Sequence, residues 1–276
     1  MATDIARSGD NAALETANPP TPQAEPPAPA MYPKRFKVVY GALGLAGLAA
    51  IAGLALAITN SGVVNGGPAW STWRPHGGGL GAAKQIADEV GKSYRLPNGD
   101  QLVDVIAKAP SVSPSSTNAI PVHYVAVRGS KASGDQVSSV SPSNSVMYSL
   151  CGLGSSCSIS SGKASVERGT LVRREILELA LYTFKYVGGI HSVIAFMPPT
   201  PGSQPQYLVY LKKSDVSAEL DKPLAQTLGK KVPLPATIPA REVHVIDATT
   251  ESRVYKFGLS QTQTGDLVLV FTPIPA

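Results

Sequence analysis

Between Val38 and Ile58 the chain carries no charged side chain, and the hydroxyl of Tyr40 is its only polar group. Thr59, Asn60 and Ser61 close the far end of this run. A helix needs about 20 apolar residues to cross the hydrocarbon core of a bilayer. Such a span is helical because lipid offers no partner to backbone N–H and C=O groups. The pattern therefore predicts a transmembrane helix over residues 38–59. Lys34, Arg35 and Lys37 abut its amino end, and no further Lys or Arg appears until Arg74. By the positive-inside rule this basic flank puts the N-terminus in the cytoplasm and the C-terminal part outside, with Tyr40 as an interfacial anchor. A cleaved signal peptide is the rival, with Ala55-Leu56-Ala57 as an A-x-A site and Ile58 as the new first residue. Against it, the apolar run exceeds a signal core of about 7–15 residues and the basic cluster lies far from the start.

The span is built mostly of Ala, Gly and Leu. Ala42, Ala46 and Ala50 recur four apart on one helix face, and Ala49, Gly53 and Ala57 on another. Small residues at that spacing let a partner membrane helix approach closely, although Ala-rich and Gly-rich spans produce such spacing by composition alone.

The rest of the chain divides by composition. Residues 1–33 form a Pro-rich tail (Pro19-Pro20-Thr21-Pro22 and Pro26-Pro27-Ala28-Pro29), with Arg7 against Asp4, Asp10, Glu15 and Glu25. So few large apolar residues cannot build a core, and the reading is a disordered cytoplasmic tail. Residues 34–37 are the basic flank and residues 60–68 a polar linker. Residues 69–276 are long enough for a sizeable core and are read as one extracytoplasmic domain. The chain of 276 residues has a net charge of +5. A mildly basic exterior domain suits anionic envelope surfaces. No basic run interleaved with aromatics points to nucleic acid.

Cys151 and Cys157 are the only cysteines, close together and on the presumed oxidising side. They are read as a disulfide closing a short loop. Two thiols with no nearby His make no four-ligand zinc site, so neither a metal nor a cofactor is expected.

Leu80, Ala83, Ile86, Ala87, Val90 and Tyr94 recur at helical spacing, and Asn98-Gly99 signals a turn. Residues 101–107, 122–127 and 145–150 read as strands, with Ser/Pro-rich loops over 111–118 and 129–143. Residues 165–187 make the strongest soluble helix. Val172, Ile176, Leu179, Ala180, Phe184 and Val187 share its apolar face, while Arg173, Arg174, Glu175, Glu178 and Lys185 cover much of the remainder. Gly188-Gly189 ends it. Residues 190–197 and 207–211 are further strands. Ser214 caps a helix carrying Leu220, Leu224 and Leu228, with a kink at Pro223. Residues 242–246 fit a strand by alternation of Val243 and Val245, or a helix opened by Pro239. Residues 253–259 and 267–272 form a closing hairpin. The class is α+β: an N-terminal transmembrane helix, then a domain with a mostly antiparallel sheet and two or three packed helices. Trp70 and Trp73 either lie in the membrane interface or cover the domain core.

The chemical motifs are incomplete. His76-Gly77-Gly78-Gly79 resembles the oxyanion-hole turn of some lipases and esterases, but Gly154-Ser155-Ser156-Cys157-Ser158 lacks the last glycine of a nucleophile elbow. Ser161-Gly162-Lys163-Ala164 hints at the end of a P-loop. Its upstream glycine is misplaced and Ala164 stands where Ser or Thr binds Mg²⁺, so an ordinary helix start is the better reading. His76, His123, His191 and His244 lack metal-ligand spacing; the last three sit in apolar runs as core or edge residues. No carboxylate pair stands out for acid–base work, and the catalytic residues are unassigned.

Tyr148-Ser149-Leu150-Cys151-Gly152-Leu153-Gly154, with Arg173-Arg174-Glu175 and Leu179-Ala180-Leu181-Tyr182, resembles single-pass envelope proteins of high-GC Gram-positive bacteria that have no assigned activity. The resemblance spans most of the exterior domain and implies no functional residues. The expectation is a membrane-anchored binding or assembly protein without catalysis, held by the lipid bilayer, with an envelope protein or wall polymer as its partner. An envelope hydrolase with dispersed catalytic residues is the first alternative, and a sensor or signalling accessory the second.

Overall fold

The computed structural model describes residues 69–112, 120–129 and 136–274. The elements run α1 (Gly79–Gly91), β1 (Asp104–Lys108), β2 (Ser111–Val112), β3 (Ile120–Pro121), β4 (Tyr124–Arg128), β5 (Val137–Val140) and β6 (Ser145–Cys151). They continue with α2 (Val166–Tyr186), β7 (Ser192–Phe196), β8 (Tyr207–Lys212), α3 (Ser217–Leu220), α4 (Leu224–Thr227), α5 (Ala240–Thr250), β9 (Val254–Gln261) and β10 (Leu267–Pro273).

The architecture is α+β and dominated by one eight-stranded sheet, in the order β1-β6-β7-β8-β9-β10-β4-β5. Two of its pairings are parallel, β6 with β7 and β10 with β4, and the other five are antiparallel. The helix α2 makes the crossover that a parallel β6–β7 pair requires.

Side-chain alternation assigns the two faces of the sheet. Val146, Tyr148 and Leu150 of β6, Val193 and Ala195 of β7, and Val209 and Leu211 of β8 join the core beneath the helices. Their neighbours Met147, Ile194, Leu208 and Tyr210 point the other way. There they meet Val125, Val127, Tyr255, Leu269 and Phe271 from β4, β9 and β10 in a second core. Tyr210 and Phe271 have ring centroids 5.5 Å apart. The sheet is thus coiled so that its β9-β10-β4 half covers the outer face of β6–β8. This is why β7 reads as an unbroken apolar run, buried on both faces, while β4 alternates.

The longest helix, α2, lies between α1, α5 and the sheet. Arg174 and Glu175, off the apolar stripe, are buried as well. The apolar stripe stands; α1 and α5 cover part of the polar remainder, while Glu167 and Lys185 stay exposed. Ser165 caps α2 by accepting a hydrogen bond from the Arg168 N–H at 3.1 Å. Residues 240–250 settle as helix α5, where Glu242 and Ile246, four apart, turn inward. Pro223 does not kink a helix but separates two, α3 from α4. The loop expected over 129–143 contains edge strand β5, whose polar Ser138 and Ser139 hid its period.

Trp70 and Trp73 close the core: Trp70 stacks edge-on against Tyr182 at 5.5 Å and Tyr186 at 5.6 Å. Cys151 and Cys157 form the expected disulfide. The loop it closes is tight, because Gly152 N–H donates to Cys157 C=O at 2.8 Å and Gly154 N–H to Ser158 C=O at 2.9 Å. A Cβ on Gly152 would overlap the Ser158 carbonyl.

One expectation requires correction. The architecture headed by a single N-terminal transmembrane helix, with a cytoplasmic N-terminus and an extracytoplasmic domain, is not supported. Among the described residues no helix is long and apolar enough to cross a membrane. The longest, the 21-residue α2, carries Arg168, Arg173, Arg174, Glu175, Glu178 and Lys185. The segment 38–59 and the residues tied to it, Lys34, Arg35, Lys37, Ala49, Gly53 and Ala57, lie outside the described residues, as do the tail and the linker. The single-pass placement that rested on that helix is withdrawn.

Candidate functional site

A cavity of about 300 Å³ opens beside the amino end of α2. Three chain segments and one turn converge on it. The first is the α1–β1 connection, Leu96-Pro97-Asn98. Asn98 shapes this turn by donating to Asp100 Oδ2 at 2.7 Å and accepting from the Asp100 N–H at 3.1 Å, with Gly99 at φ 86°. The second segment is Ser161-Gly162-Lys163, and the third is the first turn of α2, with Ser165 and Arg168. Pro235 completes the wall.

Gly162 is required by geometry. Its φ of +74° is left-handed, and a Cβ would stand 3.1 Å from Arg168 Nη1. This turn brings the Ser161 carbonyl to accept from Arg168 Nη1. Arg168 is only 7% exposed, yet among the described residues no carboxylate lies within 4 Å of it. Burial lowers its pKa from the usual guanidinium range, and it remains a cation. The Ser161 hydroxyl is shielded from solvent and has no hydrogen-bond partner among the described residues. Lys163 is exposed at the rim. The acid of this first turn, Glu167, is held by its own N–H and by the Ser165 hydroxyl, which lower its pKa; it does not line the cavity. The site therefore combines apolar walls from Leu96, Pro97 and Pro235 with donors from Ser161, Lys163 and Arg168.

A second polar assembly is sealed inside the protein. Arg174, 1% exposed, donates through Nε to Glu242 Oε2 at 2.7 Å, through Nη1 to Tyr94 Oη at 2.6 Å and Glu178 Oε2 at 3.1 Å, and through Nη2 to the Gly229 carbonyl at 3.3 Å. Tyr94 also donates to Glu178 Oε2 at 2.6 Å. These bonds tie α2, α5 and the segment that follows α1 to the residue-229 turn. Glu175, one residue along, is fully buried and neither of its oxygens has a partner among the described residues. Burial, reinforced by the Glu178 charge and opposed by Arg174, holds its carboxyl well above the usual range. This assembly cross-links the helix layer.

Another cavity, of about 420 Å³, is lined by Asn144, His191, Ser192, Tyr210, Lys212 and Lys213. Two of its groups are engaged: Ser192 Oγ shares a hydrogen bond with Ser145 Oγ at 2.7 Å, and the Lys212 N–H donates to Asp215 Oδ2 at 2.9 Å.

The residues singled out in the sequence fall in separate places. All four histidines are exposed, so of the core or edge positions expected for His123, His191 and His244 the core is ruled out. His76 precedes α1, His123 precedes β4 with Nε2 3.9 Å from Asp266 Oδ1, His191 precedes β7, and His244 sits on α5. The glycines at 77 and 79 make a positive-φ turn into α1. The Gly154–Ser158 segment is the disulfide loop. Among the described residues no cluster of His, Cys, Asp and Glu could hold a metal ion. Of the sequence motifs, Ser161-Gly162-Lys163 and the Asn98 turn do meet, at the α2 cavity. Arg168 was missed there; its signal was a base three residues past an N-cap serine, with no acid at i+3 or i+4 to pair it.

Comparison of the chain with known protein families, with curated proteins and with solved structures finds no match in any of the three.

Proposed function

We propose that the chain is a non-catalytic binding or assembly module that holds its partner at the cavity beside the amino end of α2. The observation that carries this reading is the make-up of the cavity: apolar walls with a few convergent donors, positioned by a capped helix and two defined turns. Such sites fix a ligand by shape and a small number of polar contacts. Two turns with defined hydrogen bonds or backbone support the walls: Gly162 has a left-handed φ of +74°, and Asn98 Oδ1 accepts from the Asp100 N–H at 3.1 Å.

Site-specific photocrosslinkers placed in the full chain at Asn98 and Lys163, with Ser139 on β5 as control, test the reading. Capture of one and the same partner from both cavity positions, and not from β5, is the expected result. Equal capture at Ser139, or turnover of ester, peptide or glycan substrates that depends on these cavity residues, overturns it.

A further inference from the structure

We infer that the group recognised in the α2 cavity is an oxyanion, a phosphoryl or carboxylate group carried on an apolar stem; this rests on the binding reading above. The chief observation is Arg168. A buried cation ordinarily finds a counter-charge, because desolvating an unpaired ion is costly. Here the guanidinium is 7% exposed, lines a cavity of about 300 Å³, and has no carboxylate within 4 Å among the described residues. Its one side-chain hydrogen bond goes to the neutral Ser161 carbonyl, through Nη1. Guanidinium carries five N–H groups in a fork matched to planar and tetrahedral oxyanions.

Two independent features agree. The Ser161 hydroxyl lines the same cavity, buried and without a partner among the described residues, and is free to donate. Lys163 adds a second cation at the rim, and no acidic side chain lines the cavity. The cavity also lies at the positive end of the 21-residue α2. Glu167 offsets part of that dipole, being held on its own N–H in the first turn. The net field is therefore set by Lys163 and Arg168. Leu96, Pro97 and Pro235 form the opposite wall, which suits an apolar stem rather than a fully hydrated ion.

The test is a ¹H–¹⁵N titration of the full-length chain at constant ionic strength, with inorganic phosphate, acetate and, as a neutral control, glycerol. Saturable shifts centred on Gly162 and Lys163 with phosphate or acetate, and none with glycerol, are expected. Saturation by phosphate alone assigns a phosphoryl group, and saturation by acetate assigns a carboxylate. Lys163→Glu, at an exposed position, is expected to weaken the anion about tenfold or more, and Arg168→Gln to abolish it. If Arg168→Gln fails to fold, Lys163→Glu decides. Shifts that rise linearly, spread equally to Lys212 and Lys213, or persist unchanged in Lys163→Glu overturn the inference. Partner capture at Lys163 that is indifferent to these anions leaves the binding reading standing and removes the oxyanion.

Discussion

Glu175 offers the sharpest test of the helix layer. Its carboxyl is fully buried and both oxygens lack partners among the described residues. Burial, and then the charge of Glu178, push its pKa well above 4.5. The folded chain therefore keeps a proton that the unfolded chain releases. The folded pKa is raised, so the contribution of this group is fully present below the unfolded value and declines as pH rises toward the folded one. Inside that window each pH unit removes about 1.4 kcal/mol of stability. Replacing the carboxyl by an apolar group of similar length, Glu175→Met, removes both the unpartnered polar atoms and the titration. The polar atoms cost about 1–3 kcal/mol, which for a domain of roughly 200 residues is about 2–4 °C per kcal/mol. Urea unfolding followed by circular dichroism at pH 5 and pH 6 measures both quantities. The variant should be more stable at pH 5, and its advantage should widen at pH 6. If Glu175 instead serves as the charged partner of Arg174, the variant will lose about 3–5 kcal/mol. That loss, or an advantage independent of pH, refutes the reasoning.

Other perturbations follow from the same geometry. Glu242→Ala removes one of the two carboxylates on the buried Arg174 guanidinium, leaving Glu178, and should cost about 1.5–3 kcal/mol in urea unfolding. Gly229→Ala sets a Cβ 2.5 Å from Glu242 Oε1 and should cost about 1–3 kcal/mol by displacing the same carboxylate. Joint replacement of Cys151 and Cys157 by Ser opens the disulfide loop and should cost about 2 kcal/mol, the loop being short; alkylation without reductant should label neither thiol of the native chain. Burial pushes the Tyr210 phenol up to about 12, as it does that of Tyr182, so Tyr210→Phe should lessen, without abolishing, the tyrosinate absorbance change near pH 12 in a spectrophotometric titration.

The parts of the fold governed by local periodicity were legible in the sequence. The α2 stripe, the turn at Asn98-Gly99, the strands over 145–150 and 207–211, and the closing hairpin all stand close to where alternation and caps put them. What escaped depends on tertiary packing. A single polar face can meet water or other helices, and nothing in its spacing distinguishes the two. Hence the spacing put Arg174 and Glu175 off the apolar stripe without showing that they are buried in the helix layer. Strand β5 escaped because its serines carry no hydrophobic period; its pairing with β4 is supplied by the partner strand. Half of the α2 cavity was visible as the Ser161-Gly162-Lys163 turn. The other half was not, because residues 96–98 and 235 reach it only through the fold. The ordinary helix start, preferred there over a nucleotide-binding pattern, is what the structure holds. Its glycine serves an arginine on the next helix rather than a phosphate loop.

The parallel pairing of β10 with β4 has a consequence for how the chain reaches its native state. Leu269 sits opposite Val125, so two strands nearly a whole domain apart in sequence must meet. Until they do, the β4–β5 hairpin has no neighbour, and the apolar side chains of Val125 and Val127 have no Leu269 or Phe271 to cover them. During synthesis this hairpin emerges early and waits for the strand that seals it. Closing so long a loop is slow, and an unpaired edge invites pairing with other chains in the interval. The last described strand thus completes the cover of Val125 and Val127, and assembly of this half of the sheet waits on it.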